Sequence, residues 1–292
     1  MNTKLMRQLS ICGIDIQSYL LLKRGFKPVI RLDVTENNPN NIENFIKVSE
    51  THVFIKTFDE YYDQKLSRPL SFAYISLSED LAQEAYEANK TRDLKSLGKL
   101  LGYPECCIDS FIRNLGTSVN HMIESFLNTK TKLSFYCNSL FNFDSKVDEY
   151  LNKIYHDYYN IFTANDNFFL IRHMPCAFDC KKSIEIGRKT LEILEEELPE
   201  LAEKIVFALK KPILYFDYFN WIVFYGNLKD NVLYYSKVLP YKSLFPGNNL
   251  KIIKEGNRIE VLDDKIIVYK DSKFLLKIEK QDKYKGVIMD FS

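Results

Sequence analysis

The segment Leu198-Pro-Glu-Leu-Ala-Glu-Lys-Ile-Val-Phe-Ala-Leu-Lys-Lys-Pro-Ile-Leu-Tyr-Phe-Asp-Tyr-Phe-Asn-Trp-Ile-Val-Phe-Tyr-Gly226 contains a change of architecture. Pro199 starts a helix that runs on until Lys210 and Lys211 favour its C-terminal end and Pro212 stops it. Beyond Pro212 the residues become aromatic and β-branched, and short strands are expected over residues 214–216, 221–225, 232–235, 251–254, 258–262, 265–269 and 274–278. Turn formers separate them at Gly226-Asn227, Gly256-Asn257, Asp263-Asp264 and Asp271-Ser272. The last third therefore reads as an antiparallel meander.

Upstream of this boundary, apolar spacing and charged faces predict helices near residues 80–89, 91–101, 105–115, 118–128, 145–162 and 176–197. Ser78, with Glu79 and Asp80 in the next turn, opens the first of them. Before it lies a small α/β unit. A helix over residues 15–23 ends at Gly25, strands follow over 27–34, 51–57 and 70–77, and a helix is expected near 42–48 between the first two. The fold class is α+β, with an N-terminal α/β region (1–77), a helical centre (78–211) and a C-terminal antiparallel β-meander (212–292). No internal repeat or low-complexity tract is present.

The 292 residues suffice for a buried core, and 40 Lys plus Arg against 39 Asp plus Glu give a formal charge of +1. That balance carries no global nucleic-acid signature. Asp15 and Gln17 interrupt the most apolar part of the N-terminus, and no small-residue cleavage pattern follows, unlike a secretory signal. The aromatic run 212–226 contains Asp217 and Asn220 and is too short for a membrane-spanning helix. The expectation is a cytoplasmic protein, a compartment in which six cysteines serve more often as thiols, metal ligands or redox groups than as permanent disulfides.

Four of the six fall into two motifs. Leu101-Gly102-Tyr103-Pro104-Glu105-Cys106-Cys107 places adjacent thiols in the opening turn of a helix, where unpaired backbone amides favour thiolate. Arg172-His173-Met174-Pro175-Cys176-Ala177-Phe178-Asp179-Cys180 gives Pro175 as a second helix start, with Cys176 and Cys180 on consecutive turns of one face. Together Cys106, Cys107, Cys176 and Cys180 could ligate a soft metal. An iron–sulfur cluster, [4Fe–4S] in type, suits adjacent cysteines better than zinc does, because zinc loops usually space their ligands as Cys-x2-4-Cys. Zinc is the alternative cofactor. Metal-free dithiol chemistry, with a vicinal disulfide or a pair formed between the helices, is a third reading.

Each cysteine taken singly also suits core filling, Cys107 beside Phe111 and Cys180 beside Ile184. Cys12 and Cys137 are read as structural. His173 is the expected proton carrier or a turn cap, and Arg172 an anion contact or a solvated neighbour of Asp179. His121 is a weaker candidate, while His52 and His156 read as surface residues. There is no phosphate-binding glycine loop, Gly-x-Ser-x-Gly elbow, His-Glu-x-x-His or Cys-x3-Cys-x2-Cys motif. The acidic run 192–200 reads as a solvated helix face, and the aromatics of 215–225 as sheet core.

At these residues the chain resembles a prokaryotic family known as domain of unknown function 483. The resemblance rests on Lys99-Leu-Leu-Gly-Tyr-Pro-Glu-Cys-Cys107 with Phe111 downstream, on His173-x-Pro-Cys-x3-Cys180-x2-Ser183 and, more loosely, on Lys23-Arg-Gly-Phe-Lys-Pro28. It covers roughly residues 15–195 and implies that the four cysteines belong together, without attaching an activity. The functional expectation is a cysteine-ligated metalloenzyme tailoring a small molecule, peptide or modified nucleotide by sulfur transfer or redox chemistry. The alternatives are a zinc-bearing scaffold and a thiol oxidoreductase.

Overall fold

The computed structural model describes residues 9, 14–34, 54–63, 68–115, 120–140, 169–217, 220–240, 249–281 and 285–292. Helix α1 (Ile16–Lys23) is capped by Asp15, whose carboxylate accepts from the Ser18 amide. Strands β1 (Val29–Val34), β2 (Phe54–Asp63) and β3 (Arg68–Ser76) form an antiparallel sheet in the order β1-β3-β2. The helices α2 (Glu79–Lys90), α3 (Leu94–Leu100), α4 (Glu105–Asn114), α5 (His121–Asn128), α6 (Lys181–Glu197) and α7 (Pro199–Leu209) follow. The expected helices near 42–48 and 145–162 lie outside the described residues, as do Cys12, His52 and His156.

Pro199 occupies the first turn of α7, and Leu201, Ala202, Ile205, Ala208 and Leu209 bury one continuous face. Asn138 donates to the Leu209 carbonyl, satisfying one of the acceptors left at the helix end. The change at Pro212 then produces a seven-stranded sheet in the order β10-β4-β5-β6-β7-β8-β9, antiparallel at every pairing. Its strands are β4 (Ile213–Asp217), β5 (Asn220–Lys229), β6 (Val232–Pro240), β7 (Arg258–Val261), β8 (Lys265–Lys270), β9 (Lys273–Glu279) and β10 (Val287–Met289). The α+β class with a helical centre is the architecture observed.

Period-two alternation explains the unbroken apolar run in β4 and β5. Ile213, Tyr215, Trp221 and Val223 face the core built on α1, α6 and α7. Leu214, Ile222 and Phe224 face a second core under β6 to β8. Both sides of these central strands are buried, so neither face carries a polar pattern. The first core also takes in Ile30, Leu32, Ala73 and Ile75 from the N-terminal sheet, so all three sequence regions contribute to it.

Two local readings need correction. Residues 251–254 form part of a helix, α8 (Asn249–Glu255), not a strand. Ile253 is buried and its carbonyl accepts from the Tyr235 hydroxyl, whereas so short an apolar run has no period of its own to distinguish helix from strand. Gly226 is not a turn either: β5 continues through it with a register shift beside it, and a β-carbon there would stand 2.1 Å from the Tyr234 carbonyl oxygen. The hairpin turns four residues later at Asp230 and Asn231, both at positive φ (50° and 63°), as a two-residue connection of the mirror-image type I geometry demands. No helix among the described residues is long and apolar enough to cross a membrane.

Replacing Asn231 by Val forces a β-branched residue into left-handed backbone. Asn231→Val is expected to lower unfolding free energy by about 1–2 kcal/mol, read as a shift in the urea midpoint, whereas Asn231→Gly should be neutral or stabilising.

Candidate metal centre

Helix α3 stops at Leu101 because the following glycine turns the chain back. Gly102 has φ +77°, its amide donates to the Lys99 carbonyl, and the Tyr103 amide donates to the Gly98 carbonyl at 3.0 Å. This paired closure needs a left-handed residue, which glycine supplies without a side-chain clash. Pro104 then serves as the N-cap of α4, one residue earlier in the helix than the expected first-turn position, and Cys106 and Cys107 lie in that first turn. Cys106 is exposed and Cys107 is 2% exposed.

The second motif differs from its expectation. Residues 176–179 are not helical; α6 begins at Lys181 with Cys180 as its N-cap. Hydrogen bonds to α5 and to the chain just beyond it hold this segment out of a helix. The Pro175 carbonyl accepts from Ser125 at 2.5 Å, the Cys176 carbonyl from Asn128 at 3.3 Å, and the Phe178 amide donates to Thr129 Oγ1 at 2.9 Å. The Asp179 carboxylate takes the amides of Lys130 and Thr131, both at 3.0 Å, and so is not a partner of Arg172. Backbone groups satisfied in this way have no need of a helical ladder. Cys176 is presented from a loop and Cys180 from a helix end, both half-buried.

The four thiols nevertheless meet. Cys106 Sγ stands 3.9 Å from Cys107 Sγ and 3.7 Å from Cys180 Sγ, Cys107 Sγ is 3.8 Å from Cys180 Sγ, and all four sulfurs lie within 4.8 Å of one another. Four cysteines this close could bind a metal. Tetrahedral coordination at the usual zinc–thiolate distance of about 2.3 Å separates ligand sulfurs by roughly 3.8 Å, so the spacing fits one ion. Cys137 is outside this group of sulfurs, fully buried in the first core with its thiol donating to the Cys180 carbonyl at 3.9 Å, and burial pushes its pKa up.

The sulfurs also divide their charge. Cys180 is drawn far below the ordinary thiol range by hydrogen bonds from Cys107 and Cys176, with the Ser183 side chain and amide acting in the same direction. Cys107 is pushed far up, first by its sulfur contacts with Cys176 and Cys180 and then by burial. The largest single influence on Cys176, its contact with Cys107, lowers its pKa, but Cys180, burial and the charge of Cys106 together push it up to about 12. The sulfurs therefore share protons, with the negative charge on Cys180, and a divalent cation at their centre would favour the thiolate form of all four. The N-termini of α4 and α6 also converge here, and both helix dipoles favour anionic sulfur. The Cys176 amide reinforces this by donating to Cys107 Sγ at 3.3 Å.

His173 is 6% exposed. Its Nε2 is 2.8 Å from Ser183 Oγ, which is itself 3.3 Å from Cys107 Sγ. Burial, with the nearby Lys27 charge adding to it, lowers the His173 pKa to about 3, so the ring is neutral near pH 7. Tyr103 packs against it at 5.2 Å between ring centroids. Arg172 is occupied by an ion pair to the buried Asp15 carboxylate, and its guanidinium lies over Phe169. His121 stacks on Phe111, away from the sulfurs, and Phe111 itself is exposed rather than buried beside Cys107. Sequence reasoning gave no role to Ser183, although it lies one helical turn beyond Cys180 and hence on the same face.

Residues 79–205 match the model of a family described as protein of unknown function DUF483. This chain is similar to that family across both cysteine motifs. The match begins later than the expected residue 15, leaving the Lys23 to Pro28 motif outside it. No curated protein and no solved structure matches the chain.

Ser183→Ala removes the hydroxyl between His173 and Cys107 and leaves a buried ring nitrogen without that partner. The expected cost is about 1–3 kcal/mol, measured by chemical denaturation, with Ser183→Thr recovering part of it.

Proposed function

We propose that the protein is a metalloprotein in which Cys106, Cys107, Cys176 and Cys180 hold one tetrahedral ion, zinc, as an architectural centre. The observation that carries this reading is the 3.7–3.9 Å spacing among Cys106, Cys107 and Cys180, the edge lengths of one face of a tetrahedron around a single ion, with Cys176 within 4.8 Å of all three. A [4Fe–4S] cube interposes an iron at each corner and sulfides between them, so its ligand sulfurs must stand considerably farther apart. The adjacent cysteines, which on sequence grounds favour a cluster, span 3.9 Å across the first turn of α4 and so reach two corners of one tetrahedron.

Four thiolates leave no open coordination position, which supports a structural centre over a Lewis-acid one. The ion would fasten α4, the 176–179 loop and the start of α6 at a single point. His173 would position Cys107 through Ser183, a role its burial and neutral ring support over proton transfer. Arg172, paired with Asp15, would tie the segment before the loop to α1.

A specific observation favours a second reading. Cys106 is exposed, and an accessible thiolate on a soft metal is the arrangement that iron–sulfur or sulfur-transfer chemistry would use.

Metal analysis after anaerobic purification decides between them. About one zinc per chain without labile sulfide is expected, with Cys176→Ser and Cys180→Ser each losing the metal and chelation lowering the melting temperature. Iron with stoichiometric sulfide and visible-range absorbance would establish the cluster instead, and a metal-free protein indifferent to chelator would overturn both.

A further inference from the structure

A cavity of about 430 Å³ opens between α1, residues 101–103, residues 169–173 and α6. That volume suits a small organic molecule. Lys27 lines it and is 8% exposed; its ammonium donates to the Leu101 carbonyl at 2.9 Å and lies 5.3 Å from the centre of the Tyr103 ring. Among the described residues no carboxylate lies within ion-pair distance of it, because the nearby buried Asp15 is taken by Arg172 and by the Ser18 amide.

A buried ammonium with one carbonyl partner retains donor capacity, and although the Asp15 charge favours its protonated form, such a group is stabilised further by an anion in direct contact. Burial, together with the repulsion of Arg172, lowers the Lys27 pKa to about 8, which leaves it charged at neutral pH. The cavity wall carries four cations, Lys27, Arg172, Arg188 and Lys189, against two carboxylates, Glu185 and Glu192. Lys189 pairs with Glu192 at the rim and Arg172 with Asp15, leaving Lys27 and Arg188 against Glu185. The remaining surface is apolar and aromatic, including Leu21, Tyr103, Phe169 and Ile186.

We propose that this cavity binds a small organic anion, with its charged head on Lys27 and its apolar body against Tyr103, Phe169 and Ile186. The proposal goes beyond the metal reading and does not depend on which ion the cysteines hold. A carboxylate and a phosphate monoester both fit the head-group position, and the two are separated by the choice of competitor.

The test uses the full chain with the fluorescent aromatic sulfonate ANS as reporter. Phenylacetate and phenyl phosphate are expected to displace it, the tighter of the two identifying the head group. The neutral isostere phenylethanol, which loses the charge-assisted contact, and inorganic phosphate, which lacks the apolar body, should each be at least about tenfold weaker. Lys27→Met should weaken the anions by a similar factor, leave phenylethanol unchanged and keep or raise the melting temperature. Ile186→Trp, which fills the cavity from α6, should abolish displaceable binding while leaving metal content unaltered. Equal competition by neutral and anionic compounds, or undiminished anion binding in either variant, would overturn the proposal.

Discussion

The meeting of four cysteine sulfurs within 4.8 Å of one another is the constraint around which the centre of this molecule is arranged. Cys106 and Cys180 lie 74 residues apart in sequence and 3.7 Å apart in space. Holding them there requires the first turn of α4, the start of α6 and the intervening loop all to be fixed. The backbone contributes through two helix N-termini that favour negative sulfur and through the Cys176 amide donating to Cys107. α5 contributes through Ser125, Asn128 and Thr129, which take the loop's backbone groups. Contacts among the sulfurs draw Cys180 toward thiolate and hold Cys107 as thiol, and a cation bound as proposed would favour the thiolate form of all four.

The parts of this arrangement legible in sequence are those set by local chemistry. Pro199 and Pro212 bracket α7 because one is tolerated in a first turn and the other ends the ladder. Gly102 is readable as the end of α3 because the reversal there needs positive φ. The grouping of four cysteines follows from their spacing and from the helix starts. What failed was the inference from Pro175 to a helix: proline permits a first turn but does not require one, and the groups that claim the backbone of residues 175–179 come from a segment about 50 residues earlier. Strand β10 was invisible because its three residues, Val287–Met289, are too few to show alternation, and only pairing with β4 defines it.

The buried polar residues show the same limit more sharply. Asp15 reads as the start of a helix and Arg172 as an anion contact or a solvated neighbour of Asp179, yet they are partners across 157 residues, and the ion pair fixes α1 against the segment leading to the cysteine loop. Removing Arg172 would leave the buried Asp15 carboxylate without its ion-pair partner, whereas Arg172 itself reaches solvent, so the pair serves mainly to hold the position of Asp15. Lys27 reads as a strand-entry residue, and its burial is evident only once Leu101 and Tyr103 close over it. In each case the residue type was informative and the partner was not, because the partner is chosen by the fold.

If the four sulfurs hold an ion as proposed, a coordinatively closed site would still serve function through geometry. Residues 169–173 wall the cavity and run directly into Pro175 and Cys176, and His173 faces the cavity while its Nε2 meets Ser183 beside Cys107. Fixing the sulfurs therefore fixes one wall of the cavity and the orientation of the His173 ring. On the other side, the Gly102 reversal joins Leu101, whose carbonyl holds Lys27, to the helix that carries Cys106 and Cys107. Both approaches to the cavity thus pass through the cysteine motifs. An ion that immobilises those motifs removes the ordering cost that a ligand would otherwise meet on binding, and that preorganisation requires no vacant coordination position.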